Sequence, residues 1–419
     1  METLDFKTIP WIKNLPQNWE VKPTKYLIQK IKEIIPYYND EKVISLSMTG
    51  VHERDLDAGG KMPKSFAGYQ KIEPGNLLMC LFDIDVTPRC VGVVHDEGIT
   101  SPAYSRFEMK SDADVEYYYY FFLILDTTKE LVYFSKNLRF SLTEDEIGKI
   151  KVIHPPLEEQ KKIADFLDDK CAQIDEITKD LEEKINKLDE YKKEIVFEAV
   201  TKGLNPQTEL KDSGVYWIGN VPSHWKVVKG KYCFDNDKEI VGARVDQYER
   251  LALTLNGVIK RSKDDNEGLQ PKDFATYQIL RKDELVFKLI DLQNISTSRV
   301  GLSPYVGLVS PAYIILKSRK NTYPSYAERF YLMMWYNQIF NHLGDDGVRS
   351  SLNASELLNL PFVLPPLEEQ KKIADFLDDK CAQIDEITKA TREEIETLKQ
   401  YKQSLIYEYV TGKKEVPNE

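Results

Sequence analysis

The sequence lacks the long apolar segments that membrane insertion or secretion requires. No uninterrupted apolar run approaches the roughly 20 residues of a membrane helix. The first residues, METLDFKTIPWIKN, contain no apolar core of the kind found in signal peptides. These absences predict a cytoplasmic protein.

Cysteine and histidine are also scarce, with five of each in 419 residues. No CxxC pair occurs and the histidines are scattered, so a structural zinc site and a disulfide framework are not expected. Cys171 and Cys381 fall in apolar helical positions, where we expect plain packing. The sequence predicts neither a metal nor another cofactor.

A long internal repeat is the main feature that is present. Residues 155–179 and 365–389 both read PPLEEQKKIADFLDDKCAQIDEITK. The Pro-Pro pair ends any preceding helix, and the two glutamates that follow suit a first helical turn. The chain is therefore a duplicated unit, and each copy of this stretch begins a helix.

Apolar residues recur every seven positions through both helical segments, which predicts a coiled coil. In the second segment Thr391 interrupts this row, and Ile177 and Ile387 are predicted to contribute to a second seam row. The simplest partner for each helix is the other copy, packed antiparallel; a stalk that only dimerises is the alternative. The residues predicted to pack in the seam are Leu167, Ile174, Leu181, Leu188, Ile195, Leu377, Ile384, Leu398 and Leu405.

Charge is distributed unevenly along the chain. The net charge is −11, and residues 157–203 and 367–414 together account for −7 of it. The remainder is close to neutral, so basic patches can form there. This distribution does not exclude DNA binding, but it predicts weak binding by the chain alone.

The segments outside the helices predict two mixed α/β domains with short strands. We expect domains at 1–154 and 204–364, helices at 155–203 and 365–414, and a tail at 415–419. Tryptophan-bearing segments around Trp19 and Trp225 precede each domain, and they either dock on a helix end or fill the domain core. Sequence identity between the domains is low, although short landmarks such as Ser-Pro-Ala-Tyr at 101–104 and 310–313 persist.

Aromatic residues cluster at 116–122 and 327–335. Stacking on nucleic-acid bases is one interpretation. Both stretches are apolar on all sides, however, which favours a buried helix.

The duplicated motif, the tryptophan segments and the Ser-Pro-Ala-Tyr landmarks together resemble the specificity subunit of type I restriction–modification systems. The resemblance covers essentially the whole chain. It implies an α+β fold in which two target-recognition domains are joined by two long antiparallel helices. It also implies that each domain reads half of a bipartite site in double-stranded DNA. The implied partners are two methyltransferase subunits, docked on the helices, and ATP-dependent restriction subunits.

No catalytic motif accompanies this resemblance. A phosphate-binding Gly-x-x-x-x-Gly-Lys-Ser/Thr loop is absent. The nearest approach to an adenine methyltransferase motif, Asn359 to Phe362, lacks its first proline and is interpreted as the start of a strand. Acidic pairs at 83/85 and 345/346 could hold Mg²⁺ but more often cap loops. We expect a non-catalytic subunit, with a coiled-coil scaffold that does not bind DNA as the alternative.

Base and phosphate contacts require cationic, amide or hydroxyl side chains on exposed loops. For each candidate, a solubilising surface role is the competing interpretation. The predicted DNA-binding residues are Lys61, Lys64, Arg89, Arg106, Lys110, Lys260, Arg261, Lys263, Lys288, Gln293, Arg299, Arg349, Ser350 and Ser351.

Overall fold

A computed structural model describes residues 15–57, 63, 65–135, 140–263, 273–292, 299–343 and 351–417. The chain forms two compact units. Unit 1 comprises Met1–Leu181 with Glu393–Glu419, and unit 2 comprises Glu182–Arg392. The packing therefore divides each long helix between the units, whereas the domain boundaries predicted above follow secondary structure.

Unit 1 contains a four-stranded antiparallel sheet of order β2-β9-β6-β7, flanked by the pairs β3–β4, β5–β8 and β1–β10. The last pair leads directly into helix α3. The strands are β1 Glu20–Pro23, β2 Ile28–Ile31, β3 Ile44–Ser47, β4 Gly50–Glu53, β5 Gln70–Ile72, β6 Leu77–Met79, β7 Val91–Val93, β8 Gly98–Thr100, β9 Ser105–Met109 and β10 Lys151–His154; the helices are α1 Val115–Thr127, α2 Glu144–Lys149 and α3 Leu157–Lys202.

Unit 2 repeats this arrangement, with sheets of order β14-β21-β18-β19 and β16-β15-β20-β17 and a β13–β22 pair that leads into α7. As predicted, residues 359–362 lead into a strand. The strands are β11 Leu210–Asp212, β12 Asn220–Pro222, β13 Lys226–Lys229, β14 Phe234–Asp235, β15 Arg250–Thr254, β16 Gly257–Arg261, β17 Gln278–Leu280, β18 Leu285–Phe287, β19 Val300–Leu302, β20 Gly307–Val309, β21 Ile314–Ser318 and β22 Pro361–Leu364; the helices are α4 Pro324–Tyr336, α5 Ile339–His342, α6 Ala354–Asn359 and α7 Leu367–Val410.

A buried glutamine fixes the same loop in both units. The Gln70 Nε2 donates to the carbonyl oxygens of Ser101 and Tyr104 at 3.0 and 2.7 Å. Gln278 makes the equivalent bonds to Ser310 and Tyr313. The Ser-Pro-Ala-Tyr landmark persists because its carbonyls satisfy an amide that would otherwise be buried without partners.

In unit 1, the beginning of α3 packs antiparallel against the end of α7. The rings of Phe166 and Tyr409 pack in a tilted pair with centroids 4.5 Å apart, and further along α3 the Lys402 Nζ lies 2.6 Å from the Asp175 carboxylate. The seam residues of unit 1 that belong to its hydrophobic core are Leu167, Ile174, Leu405 and, partly buried, Leu398.

In unit 2, the end of α3 meets the beginning of α7, and the Lys192 Nζ lies 2.6 Å from Asp385. Leu377 and Ile384 are buried and Ile195 is partly buried. The predicted seam residues Leu181 and Leu188 are half-buried.

The prediction for two residues of the second seam row is wrong. The side chains of Ile177 and Ile387 are 47% and 44% exposed. Ile177 and Ile387 lie six residues after the buried Cys171 and Cys381, so they fall one position short of the seven-residue repeat. That repeat passes instead through the partly buried Thr178 and Thr388.

Each tryptophan segment docks where one long helix begins and the other ends. Trp19 donates to Glu159 of α3, and its ring lies against Gly412, just beyond α7. Trp225 lies in the same way between Glu369 and Gly203. A Cβ on Gly412 would lie 2.9 Å from the Trp19 ring, so only glycine fits this close approach. Both interpretations of these tryptophans hold, since each ring is buried and also contacts a helix end.

The aromatic stretches form the buried helices α1 and α4, so the base-stacking interpretation is wrong. Tyr117 and Tyr326 are fully buried. The hydroxyl of Tyr117 donates to the Val410 carbonyl at 2.9 Å, and that of Tyr326 to the Val200 carbonyl at 3.2 Å. These phenols therefore satisfy carbonyls at the ends of the long helices, which have no intrahelical partner.

Candidate nucleic-acid interface

Three predicted cations of unit 2 meet beside one β-hairpin. Lys260 and Arg261 end strand β16, and Lys263 follows it. Together with the segment before β15 they border an open cavity of about 500 Å³. The residues that line it are Asp246, Gln247, Tyr248, Glu249, Arg250, Lys260, Arg261, Ser262 and Lys263.

Lys260 and Lys263 each keep part of their donor capacity available beyond the contacts that they make in the fold. The Lys260 Nζ lies 2.6 Å from Glu249 and 5.3 Å from the centre of the Tyr305 ring. The hydrogen bond that Lys260 donates to Glu249 raises the pKa of the Lys260 ammonium, which keeps it charged. The Lys263 Nζ donates to the Val245 carbonyl at 2.7 Å. An ammonium has three donors, so phosphate or base oxygens can be bound in addition.

Sequence reasoning missed Gln247 and Tyr248, which line the same cavity. Their side-chain types can bind base edges and phosphates. No motif marks these two residues, and only the folded hairpin brings them to the cations.

The prediction for Arg299 is corrected by its burial. Its side chain is 2% exposed, and its guanidinium donates to the carbonyls of Lys288, Ile290 and Asp291 at 3.3, 2.7 and 2.5 Å. Arg299 therefore holds the loop after β18 and is not available to DNA. Lys288 is partly exposed beside it, and exposed Ser351 pairs with Ile290 in an isolated bridge.

Arg106 of unit 1 is corrected for the same reason. It is 2% exposed, and its guanidinium donates to Asn76 Oδ1 at 2.6 Å, to the Lys71 carbonyl at 2.8 Å and to Glu73 at 3.1 Å. We assign Arg106 a structural role that joins β9 to the turn before β6.

The other described candidates of unit 1 do not converge. Arg89 is partly buried and donates to the Met48 carbonyl and the Tyr119 hydroxyl at 3.0 and 2.8 Å. Lys110 is exposed at the end of β9, where its Nζ lies 3.3 Å from the Lys25 carbonyl. The remaining predicted residues, Lys61, Lys64, Gln293, Arg349 and Ser350, lie outside the described residues.

Neither a metal-binding cluster nor a membrane-spanning helix occurs in the part of the chain that the structure describes. There, no group of three or more His, Cys, Asp or Glu side chains lies close enough to hold a metal ion. The pair at 345/346 lies outside that part, and the Asp83 carbonyl accepts amide bonds from Val86 and Thr87 in a tight turn. No described helix is both long and apolar enough to span a membrane.

Residues 93–187 and 223–397 match the family described as type I restriction modification DNA specificity domain. Two curated relatives come from Methanocaldococcus jannaschii. The type I restriction enzyme MjaVIII specificity subunit is 28% identical over 288 residues, covering 64% of this chain and 63% of the relative. The putative type I restriction enzyme MjaX specificity subunit is 25% identical over 287 residues, which cover 65% of this chain and 61% of the relative. The match thus spans less than two thirds of either relative.

Two solved structures share the fold. One comes from a study of complex assembly and conformational transition of the type I R-M system. It aligns with a TM-score of 0.67 at 16% identity, and the alignment covers 95% of this chain and 99% of the solved chain. The HsdS subunit from Thermoanaerobacter tengcongensis aligns with a TM-score of 0.50 at 15% identity, and the alignment covers 96% of this chain and 98% of the HsdS chain. The duplicated α+β scaffold and the long match to the family lead to one assignment: the chain belongs to the type I restriction modification DNA specificity domain family.

Proposed function

We propose that this chain is the DNA sequence-recognition subunit of a type I restriction–modification complex. The observation that carries the proposal is the contrast between a repeated scaffold and divergent hairpins. Gln70 and Gln278 make equivalent bonds, whereas β4 reads Gly-Val-His-Glu and β16 reads Gly-Val-Ile-Lys-Arg. A scaffold that stays constant while its exposed hairpins differ suits two readers of different sequences.

Each unit would read one half of a bipartite site in double-stranded DNA. The cationic hairpin of unit 2 supports this role, because a two-stranded ribbon fits the major groove and cations contact phosphates. The two long helices would set the distance between the half-sites. Helix α3 has 46 residues, which corresponds to roughly 70 Å, or about two turns of DNA.

The helices would also dock two methyltransferase subunits, with restriction subunits joining the assembly. Identical sequences at 155–179 and 365–389 offer one partner the same surface twice. The names of the relatives, restriction enzyme specificity subunits, support such an assembly.

The chain itself would not catalyse methyl transfer or cleavage. The sequence lacks both the phosphate-binding loop and the complete methyltransferase turn. Methyl transfer from S-adenosylmethionine by the purified chain alone would contradict this part of the proposal. The alternative of a scaffold without DNA binding is not favoured, because the chain matches a family of DNA specificity domains.

A domain replacement tests the proposal. Residues 227–360 are replaced by the matching region of a relative, and the methylated adenines of cells carrying the complex are mapped by single-molecule sequencing. We expect one half of the site to change and the other half to stay the same. The matched control replaces residues 21–150 and should change only the other half. A change in both halves would contradict independent readers.

A further inference from the structure

The tips of two equivalent hairpins each carry an exposed apolar side chain. Met48 joins β3 to β4 and is 74% exposed; Leu255 joins β15 to β16 and is 63% exposed. Exposed turn positions ordinarily hold Gly, Asn, Asp, Ser or Pro. The two hairpins, whose strands differ in sequence, thus share a large apolar group at one turn position.

The backbone of these turns does not require an apolar residue. In unit 1 the Ser47 hydroxyl accepts the Thr49 amide at 3.2 Å and donates to the Gly50 carbonyl at 3.1 Å. In unit 2 the Thr254 hydroxyl makes the equivalent bonds with Asn256 and Gly257 at 3.2 and 3.0 Å. The glycines adopt the positive φ angles, +125° and +86°. A polar residue would therefore fit at position 48 or 255 without strain.

The tip of unit 1 is also held in place. The Arg89 guanidinium donates to the Met48 carbonyl and to the Tyr119 hydroxyl on α1. This clamp fixes the backbone and leaves the Met48 side chain in solvent. A fixed tip loses little conformational entropy when its side chain enters another surface.

From these observations we infer that Met48 and Leu255 are apolar wedges, each of which inserts against a base step of duplex DNA. The inference rests on the proposed function. A β-ribbon fits the major groove, and apolar side chains are known to contact thymine methyl groups or to enter between base steps. A side chain that enters between base steps reads little sequence, so two readers of different half-sites can share this contact.

The chemistry beside the tips favours DNA over a protein surface. Thr49 and Asn256 follow the wedges and can hydrogen-bond base edges, and the same hairpin of unit 2 carries Lys260 and Arg261 at its opposite end. A protein partner remains a distinct outcome of the test, because in unit 2 the tip borders an open cavity of about 960 Å³ that is also lined by Trp335.

The test uses the full chain assembled with its partner subunits. Met48→Ala and Leu255→Ala are compared with the conservative variants Met48→Leu and Leu255→Met. The probe is a duplex that carries the site mapped by methylation sequencing, with 2-aminopurine placed in one half-site or the other. Affinity is measured by fluorescence anisotropy over a range of salt concentrations.

We expect each alanine variant to assemble normally and to bind the duplex at least about fivefold more weakly than the wild type. A fivefold loss of affinity is the lower end of the range for losing one base contact. The slope of log affinity against log salt should not change, because no phosphate contact is lost. For each alanine variant, the 2-aminopurine fluorescence should fall when the probe is in one half-site and not when it is in the other. The matching conservative variant should restore the fluorescence.

Two outcomes would overturn the inference alone. Unchanged affinity and fluorescence would show that the tips do not contact bases, and loss of subunit assembly would show that they dock a protein. A wild-type complex that binds no duplex sequence-specifically would overturn the proposed function and the wedge together.

Discussion

The indole Nε1 of Trp19 donates a 2.6 Å hydrogen bond to the carboxylate of Glu159, and Trp225 and Glu369 repeat the bond at 2.9 Å. Each bond ties a domain to the first turn of its long helix. It therefore joins the globular part of each unit to the helix pair.

Loss of this bond should destabilise unit 1. We expect Glu159→Ala to lower the free energy of unfolding by about 1–3 kcal/mol, because a buried indole loses a charged acceptor. Urea unfolding followed by tryptophan fluorescence measures the change. Glu158→Ala, an exposed neighbour in the same turn, is the control and should change stability by less than about 0.5 kcal/mol. Equal effects of the two substitutions would contradict the role of the bond.

Substitution of Arg299 and of Lys260 should give opposite results. Arg299→Ala removes a buried guanidinium that serves three carbonyls, so we expect a loss of about 2–4 kcal/mol of stability. Lys260→Ala should leave the melting temperature unchanged, weaken DNA binding by the assembled complex and reduce the salt slope by about 1. A stable Arg299→Ala protein with impaired binding would reverse our structural assignment.

The acidic cluster at α1 should make unit 1 less stable as the pH rises. Burial, with the charges of Asp168 and Asp114, raises the pKa of Glu116 to about 7. The folded protein therefore holds a proton that the unfolded chain releases from about pH 4.5, and stability falls between pH 4.5 and 7. We expect Glu116→Gln to raise the melting temperature at pH 8 but not at pH 4.5.

The exposed Glu97→Gln is the control for this measurement and should follow the wild type at both pH values. A melting temperature of Glu116→Gln that parallels the wild type across the range would show that this carboxyl does not drive the pH dependence.

If the helices set the spacing, lengthening them should alter the gap between half-sites. Seven helical residues inserted near both Ile185 and Ile395 add roughly 10 Å, close to three base pairs. They also require a rotation of about 100° around the duplex, so we expect activity to fall sharply. Surviving sites should keep both half-sites and have a changed gap, as read by methylome sequencing. Full activity with an unchanged gap would show that the helices do not set the distance.

The repeated features of the fold could be predicted from the sequence, whereas the exposure of individual cations could not. The 25-residue repeat predicted α3 and α7, and their apolar rows predicted that Leu167 and Leu377 are buried. Arg106 and Arg299 look like surface cations in the sequence. Their burial depends on carbonyls of loops that the fold brings together, and no local pattern records those loops.

The division of each long helix between units has a consequence for synthesis. Unit 1 buries Leu167 and Cys171 together with Leu405 and Tyr409. Roughly 210 residues separate the two parts of this core, and a ribosome needs about 10–40 s to make them. The first domain must therefore wait with the apolar face of α3 uncovered until the end of α7 emerges. The last helix made closes the first unit, so a chain that stops before α7 leaves unit 1 open to aggregation and proteolysis.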